Sequence, residues 1–470
     1  MIVKQLYTNC LAQGAYYISN NSEAIIIDPL RETQPYLDLL KQNGDTLKYI
    51  LETHFHADFV SGHIDLAKAT GATIVFGPNA QTDYKSYIAK DNEEFKVGEL
   101  TIKVLHTPGH TLESTTYLLL DKTKKPLSIF SGDTLFIGDV GRPDLAIKSE
   151  LTQEDLAGML YDSLRNKIMT LPDDVIVYPA HGAGSACGKN MSKETFDTLG
   201  NQKKVNYALQ NISKEAFIKE LTTGILPAPQ YFSKNASLNK KGYKNYSDVL
   251  IAGAKGLSVS EFEELMQTIK PIVLDVRSPD DYAKENIPGS LFIGVDGQFA
   301  PWVGTLISDI NSPILLIAPK GREEEAVMRL SRVGYDNCIG YIEGGMKAWK
   351  DAGKKTDAIT SISAELFYNE NYKKGDETLD VRKPGEFDSA HLKKAESKPL
   401  DFIFDWIDSK DKSHAYMVHC AGGYRSMIAI SILKANGYKN LTNVEGGFGV
   451  ISKLNEVDAD IITQACTAGK

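Results

Sequence analysis

One pattern occurs twice in the second half of this chain, and it limits the possible folds more than any other feature. Leu274-Asp275-Val276-Arg277 recurs as Leu379-Asp380-Val381-Arg382. Each copy is followed by a proline, an acidic residue and an aromatic one, Pro279 to Tyr282 and Pro384 to Phe387. Glu343-Gly344-Gly345 recurs as Glu445-Gly446-Gly447, with Gly334-Tyr335 and Gly437-Tyr438 ahead of them. Within each copy, strand-like runs alternate with helical ones, the pattern of an open α/β sheet. At roughly 100–200 residues per domain, 470 residues make about three domains. The chain therefore divides into a first block over 1–232, a Pro-, Asn-, Lys- and Gly-rich linker or arm over 233–257 (its composition shift begins near Leu226), and two repeats over 258–356 and 357–470. The arm composition suits a linker, or an ordered segment folded back over the first block.

The first block alternates short β-rich runs with amphipathic helical stretches. Ile25 to Ile27, Tyr49 to Leu51, Leu127 to Phe130 and Val175 to Tyr178 read as buried strands. Each runs into a loop containing His or Asp, so several strand ends deliver polar residues to one edge, where loops on a rigid sheet commonly carry function. The loops are Thr53-His54-Phe55-His56-Ala57-Asp58-Phe59, Thr107-Pro108-Gly109-His110, Ser131-Gly132-Asp133 and Pro179-Ala180-His181-Gly182. Imidazole and carboxylate suit first-row metals. A lone histidine is more often a surface or core residue, but this recurrence has few bland explanations. His63 and His106 lack the same loop context and read as non-ligands.

This set resembles the metallo-β-lactamase superfamily: an HxHxD loop, a second His, a bridging-type Asp and a last His. In dinuclear members the first loop continues HxHxDH, whereas here the position is Phe59, which cannot ligate. His56, Asp58 and His181 are then expected as supporting residues around a vacated second site. His54, His110 and Asp133 remain, two His and one carboxylate, the facial triad of non-haem Fe(II) oxygenases. A closed structural zinc site would fill four positions. The block is similar to the persulfide dioxygenases, glyoxalase II relatives that use a single iron. Gly138 to Asp144 resembles that family's GRxD segment, which implies that Arg142, with Asp144, binds or orients the anionic end of a thiol substrate; the alternative is a structural salt bridge between the two. Gly182-Ala183-Gly184-Ser185-Ala186-Cys187-Gly188 is a poor dinucleotide loop, because Cys187 replaces the third glycine and no Rossmann unit follows. It resembles the GAGSxCG segment of dioxygenases fused to rhodaneses, with Cys187 a substrate-side thiol or a packed small residue.

In the last repeat, the strand-like Tyr416-Met417-Val418 ends at His419-Cys420-Ala421-Gly422-Gly423-Tyr424-Arg425-Ser426, and a helical run from Met427 to Lys434 follows. A cysteine in a Gly-rich loop that opens a helix faces backbone N–H groups, which stabilise an anionic sulfur. Arg425 adds a fixed positive charge. The CxxxxR spacing also fits the phosphate loop of Cys-dependent phosphatases. The LDVR and EGG motifs around it resemble rhodaneses and favour sulfur transfer, with Cys420 as nucleophile and Gly422 and Gly423 lining the substrate. The first repeat has Ala318-Pro319-Lys320-Gly321-Arg322 at the matching strand end and no cysteine there, so it reads as an inactive rhodanese-like unit. Cys338 sits on its next strand, where packing is the expected role.

The order of blocks resembles bacterial persulfide dioxygenase–rhodanese fusions. That resemblance implies an α/β protein: an N-terminal αββα metallo-β-lactamase sandwich followed by two α/β rhodanese-like domains. It implies one Fe(2+) per chain on His54, His110 and Asp133, with a low-molecular-weight thiol persulfide and O2 as substrates and sulfite as product. Cys420 would pass sulfane sulfur to sulfite, giving thiosulfate, in a homo-oligomer, as large family members usually are. A net charge of −9 argues against nucleic acid as main partner. The five cysteines, Cys10, Cys187, Cys338, Cys420 and Cys466, are odd in number and scattered, which suits a reducing cytosol. No signal-peptide h-region and no membrane-length apolar run is seen, so a cytoplasmic protein without a membrane partner is expected. Two rival readings stay open: a dinuclear thioester hydrolase of the glyoxalase II type, and a non-enzymatic sulfane-sulfur carrier or sensor with a structural metal.

Overall fold

The computed structural model describes residues 1–145, 151–225, 227–455, 457 and 461–463; Leu226 and Cys466 lie outside them. Two compact units are present, the first made of 1–249 with 328–336, the second of 250–327 with 337–470.

The first unit holds two six-stranded sheets. One contains Ile2–Thr8, Gln13–Asn20, Glu23–Ile27, Thr46–Leu51, Thr73–Phe76 and Tyr87–Ile88, paired in sequence order. The other contains Glu94–Val97, Leu100–His106, Thr115–Leu120, Pro126–Gly132, Ile176–Pro179 and Asp197–Thr198, also in sequence order. Ile25, Ile27, Leu51 and Val75 of the first sheet share a core with Ile102, Val104, Leu119 and Phe130 of the second. The alternate residues Ala24 and Ile26 face the other way, onto Tyr36, Leu39 and Leu66 of the helices Gln34–Asn43 and His63–Thr70. A strand covered on both faces needs apolar side chains at every position, which is why Ile25-Ile26-Ile27 shows no alternation. On the far side of the second sheet, helices Gln153–Ser163 and Lys214–Thr222 add Leu156, Leu160, Phe217 and Leu221 to the buried set. The result is the expected αββα order. Thr152 starts the helix Gln153–Ser163 with a reciprocal capping box to Asp155.

The arm is not loop. It folds as helices Phe232–Lys241 and Tyr246–Gly253. Its asparagines gave it a linker composition, but Asn235 and Asn239 are fully buried, at 0% and 1% exposure. The Asn239 amide donates to the carbonyls of His56 and Phe59, each at 2.8 Å, and its oxygen accepts from Ser61 N at 2.9 Å. Asn239 therefore braces the loop of the first block that carries His56 and Phe59.

The second unit shows the repeat as architecture. One five-stranded sheet has the order Gly256–Leu257, Cys338–Ile342, Ile314–Ile317, Ile272–Asp275, Leu291–Phe292. The other has Thr360–Ser363, Asn440–Glu445, Ala415–His419, Thr378–Asp380, Ala395–Ser397. Every pair in both is parallel, and the equivalent strands occupy equivalent places. Cys338 is buried on its strand, as packing required.

Candidate functional site

In the first unit, five strand ends converge. Asp28 follows Glu23–Ile27, and the run from Glu52 to Phe59 follows Thr46–Leu51. His110 lies beyond Leu100–His106, Asp133 follows Pro126–Gly132, and His181 follows Ile176–Pro179. The donor atoms of His54, His110 and Asp133 all lie within 4.8 Å of one another, and all three residues are buried. His110 Nε2 is 3.3 Å and His54 Nε2 3.9 Å from the same Asp133 oxygen, Oδ2.

Hydrogen bonding fixes which imidazole nitrogens are bare. The Thr53 hydroxyl donates to Asp28 Oδ2 at 2.8 Å, so its oxygen can only accept from His54 Nδ1, 2.9 Å away. His110 Nδ1 lies 2.8 Å from the carbonyl oxygen of Arg142, which can only accept. Both rings thus carry the proton on Nδ1 and turn a bare Nε2 toward Asp133, the arrangement that outer hydrogen bonds impose on metal-binding histidines. Burial, then the imidazoles of His56, His110 and His181, hold His54 well below the usual histidine range, in its neutral form. Neither Asp133 oxygen has a hydrogen-bond partner, although the carboxylate is only 2% exposed. Two lone pairs facing an unpartnered buried carboxylate are costly by themselves, and a divalent cation satisfies all three. The donor set fits a divalent metal ion.

A second set adjoins the first. His56, Asp58 and His181 also bring one donor atom each within 4.8 Å. His181 Nε2 is 3.4 Å from Asp58 Oδ2 and 3.6 Å from Asp133 Oδ1. Phe59 is fully buried with its ring centroid 4.3 Å from that of His56, so a hydrocarbon wall stands at that position of the motif. His56 Nε2 is 3.1 Å from Asp28 and 3.7 Å from Glu52. Burial disfavours the imidazolium of His56, but the carboxylates of Asp28, Glu52 and Asp58 outweigh burial and push it up to about 9. Sequence reasoning missed Asp28, Glu52 and Thr53. Asp28 could have been found by asking which other strand ends carry a carboxylate. The carbonyl of Arg142 has no sequence signal at all.

Arg142 is bidentate to Asp144, Nε to Oδ1 at 2.6 Å and Nη2 to Oδ2 at 2.7 Å, and Nη1 reaches the Ala186 carbonyl at 3.3 Å. Of the two roles expected for this pair, the salt bridge is formed. Cys187 is 1% exposed, and its sulfur lies within 4.8 Å of donor atoms of Asp133 and His181. Burial, then the carboxylates of Asp58 and Asp133, push its thiol well above the usual range. His63 takes no part in either cluster; it joins Glu52 at 3.1 Å to the Tyr84 hydroxyl at 2.7 Å.

The second unit carries the other candidate site. Cys420 follows the strand Ala415–His419, and Gly423, in the left-handed region at φ 101°, opens the helix Tyr424–Ala435. The Gly423 N–H donates to Cys420 Sγ at 3.1 Å. Cys420 is 1% exposed. The EGG segment lies under the loop: Phe448 N donates to Cys420 O at 2.7 Å and Gly449 N to Ala421 O at 2.9 Å. Any Cβ on Gly447 would stand 2.2 Å from the Cys420 carbonyl oxygen, which explains the second glycine of that motif. Arg425 is held bidentately by Glu386, Nη1 to Oε2 at 2.5 Å and Nη2 to Oε1 at 2.8 Å. Glu386 belongs to the proline- and acid-containing tail of the LDVR motif, a role that the motif alone did not disclose. Gly422 has no atom near a built Cβ, so it leaves the mouth of the loop open.

Comparison with known proteins follows the same division. Residues 9–181 match the family model described as the metallo-beta-lactamase superfamily. Residues 258–352 and 363–453 match the model of the rhodanese-like domain. The mitochondrial persulfide dioxygenase ETHE1 of Homo sapiens is 30% identical over 236 residues, 49% of this chain and 84% of that protein. The probable hydroxyacylglutathione hydrolase glo2 of Schizosaccharomyces pombe is 34% identical over 160 residues, 33% of this chain and 57% of its own. A crystal structure of a metallo-beta-lactamase from Staphylococcus aureus superposes with a TM-score of 0.64 at 30% identity, covering 72% of this chain and 98% of that one. Among the described residues, no helix is long and apolar enough to cross a membrane.

Proposed function

Because this chain belongs to the persulfide dioxygenase family of the metallo-beta-lactamase superfamily, with two rhodanese-like domains in tandem, we propose that it oxidises a low-molecular-weight thiol persulfide to sulfite and passes sulfane sulfur through Cys420 onto sulfite. The observation that carries the first half is the pair of bare Nε2 atoms, on His54 and His110, turned to an Asp133 carboxylate without a hydrogen-bond partner. One iron(II) ion per chain on these three residues would supply open coordination positions for persulfide and dioxygen. The overall change is RSSH + O2 + H2O → RSH + SO3(2−) + 2H+. Asp28, through Thr53, and the Arg142 carbonyl hold the two imidazoles in the ligating tautomer. Cys187 lies buried beside Asp133 and His181 and forms part of the wall of this site. The Arg142–Asp144 pair, through Ala186 O, tethers the segment carrying Cys187.

In the second half, Cys420 Sγ attacks the terminal sulfur of a persulfide, the S–S bond breaks toward the departing thiol, and Cys420 is left as a persulfide. Sulfite then attacks that outer sulfur, giving thiosulfate and the Cys420 thiolate. The Gly423 N–H and the N-terminus of a twelve-residue helix stabilise negative charge on sulfur at this place. The phosphatase reading of the same spacing is not favoured, because both terminal nitrogens of Arg425 are engaged by Glu386 rather than free to fork a phosphate.

The test is elemental analysis beside an oxygen-electrode assay with several thiol persulfides. One iron per chain, persulfide-dependent O2 uptake and sulfite as product are expected; iron-loaded protein without O2 uptake would sink the reading. The dinuclear thioester hydrolase remains as a second reading because His56, Asp58 and His181 form a complete three-donor set. Two ions per chain together with thioesterase activity would establish it.

A further inference from the structure

The Cys420 loop is fixed at two places by two different repeats. Its own repeat holds the loop backbone from below, through Phe448 N on Cys420 O and Gly449 N on Ala421 O. The other anchor is Tyr424, the first residue of the helix that the loop opens. Its hydroxyl donates to the carbonyl of Gly294, at 2.7 Å, in the Cys-less repeat. Its ring meets Phe292 edge-on, at a centroid distance of 6.0 Å. Two glycines make room for it. A Cβ on Gly297 would stand 2.3 Å from Tyr424 Cζ, and one on Gly294 would stand 3.2 Å from its Cε2. Two turns along the same helix face, the Ser431 hydroxyl oxygen accepts from Phe292 N at 3.0 Å and is fully buried.

We infer that Tyr424 is a positioning residue through which the Cys-less repeat sets the geometry of the sulfur cradle in the other repeat. The inference rests on the sulfur-transfer reading of Cys420 given above. Tyr424 lies between Gly423, whose N–H donates to Cys420 Sγ, and Arg425, the loop's cation. Movement of its ring therefore moves the Gly423 N–H that faces the sulfur and the start of the side chain of Arg425. Gly422 and Gly423 cannot resist such movement by themselves, since glycine backbone is conformationally free. The Cys-less repeat thus has a task that needs no nucleophile: it pins the start of the helix so that the Gly423 N–H stays on the sulfur.

The full chain tests this with Tyr424→Phe, which removes only the hydroxyl, and Gly297→Ala, which adds one methyl against the ring from the repeat without the cysteine. Two quantities are read: the pH midpoint for iodoacetamide alkylation of Cys420, followed on its peptide by mass spectrometry, and kcat for thiosulfate formation from persulfide and sulfite. Both variants should raise the midpoint and lower kcat about three- to tenfold, the effect of one hydrogen bond, with KM for sulfite and persulfide-dependent O2 uptake unchanged. In a Tyr424→Ala background, Gly297→Ala should have no further effect, because the ring it strikes is gone. Parent values of midpoint and kcat in Gly297→Ala, or losses that add in full in the double variant, would overturn the inference. Shifted midpoints in variants of a protein that makes no thiosulfate would uphold the positioning role and remove the sulfur-transfer reading instead.

Discussion

The two repeats of the second unit share a clamp and differ in the loop beside it. In the first, Arg277 Nε and Nη2 bind both oxygens of Asp275, at 2.9 and 2.6 Å, and Nη2 also reaches the Glu285 carbonyl at 2.7 Å. In the second, Arg382 binds Asp380 at 2.9 and 2.5 Å and reaches the Ala390 carbonyl at 2.8 Å. The clamp joins a strand end to the segment after the next helix, and it is the same in both. At the neighbouring strand end the repeats part. One has Cys420 with Arg425 bound to Glu386; the other has Ala318 and Pro319, with Arg322 bound to Glu325 and Asp296. The LDVR motif therefore reports the fold, and the loop reports the chemistry. A repeat can lose the second and keep the first.

The largest expected effect falls on the loop. Cys420→Ser should abolish thiosulfate formation while leaving persulfide-dependent O2 uptake and sulfite production at the parent level. Thiosulfate made at the parent rate by this variant would erase the chemical difference between the repeats.

The clamp should respond alike on both sides. Asp275 and Asp380 are fully buried, Arg382 nearly so, and Arg277 mostly so. Asp275→Asn and Asp380→Asn each leave a buried guanidinium without its counter-charge, which costs about 3–5 kcal/mol. Urea denaturation should show similar drops in midpoint for the two. A large loss in one and none in the other would mean that the clamps are equivalent in geometry but not in weight.

Next comes the pair that differs. Glu386→Gln weakens the hold on Arg425, a partly exposed guanidinium, so kcat for sulfur transfer should fall several-fold with little change in stability. Asp296→Asn, which weakens the hold on Arg322 in the other repeat, should leave kcat unchanged. Equal losses in both would mean that the first loop contributes to the reaction.

Much of this was readable in the sequence because the informative residues come in ordered sets. The repeat follows from two short motifs, and the structure returns it as two sheets with the same strand order. His54, His110 and Asp133 each follow a strand, so a sheet edge had to bring them together, and it does. What was not legible is pairing between distant polar groups. The tautomer of His110 depends on a backbone carbonyl, at Arg142, which every residue type carries. Asn239 looked like linker because burial of an amide is decided by its partners, His56 O and Phe59 O, far away in sequence. Phe59 predicted a vacated second site, yet His56, Asp58 and His181 still converge there, since loss of one ligand does not move the strands that carry the others.

The smallest expected effect belongs to Arg322 itself. Its side chain is 31% exposed, and its partners Asp296 and Glu325 are 76% and 29% exposed. Such pairs at the surface are worth at most about 1 kcal/mol, because water already solvates both charges and long side chains lose entropy in forming them. Arg322→Ala should shift the unfolding midpoint little and leave thiosulfate formation and O2 uptake at parent values. This arginine ends the loop that stands where the Cys420 loop stands in the other repeat. A clear loss of sulfur transfer in Arg322→Ala would show that the loop without a cysteine still acts on the reaction, and the contrast between a fold-bearing clamp and a chemistry-bearing loop would have to be redrawn around charge rather than sulfur.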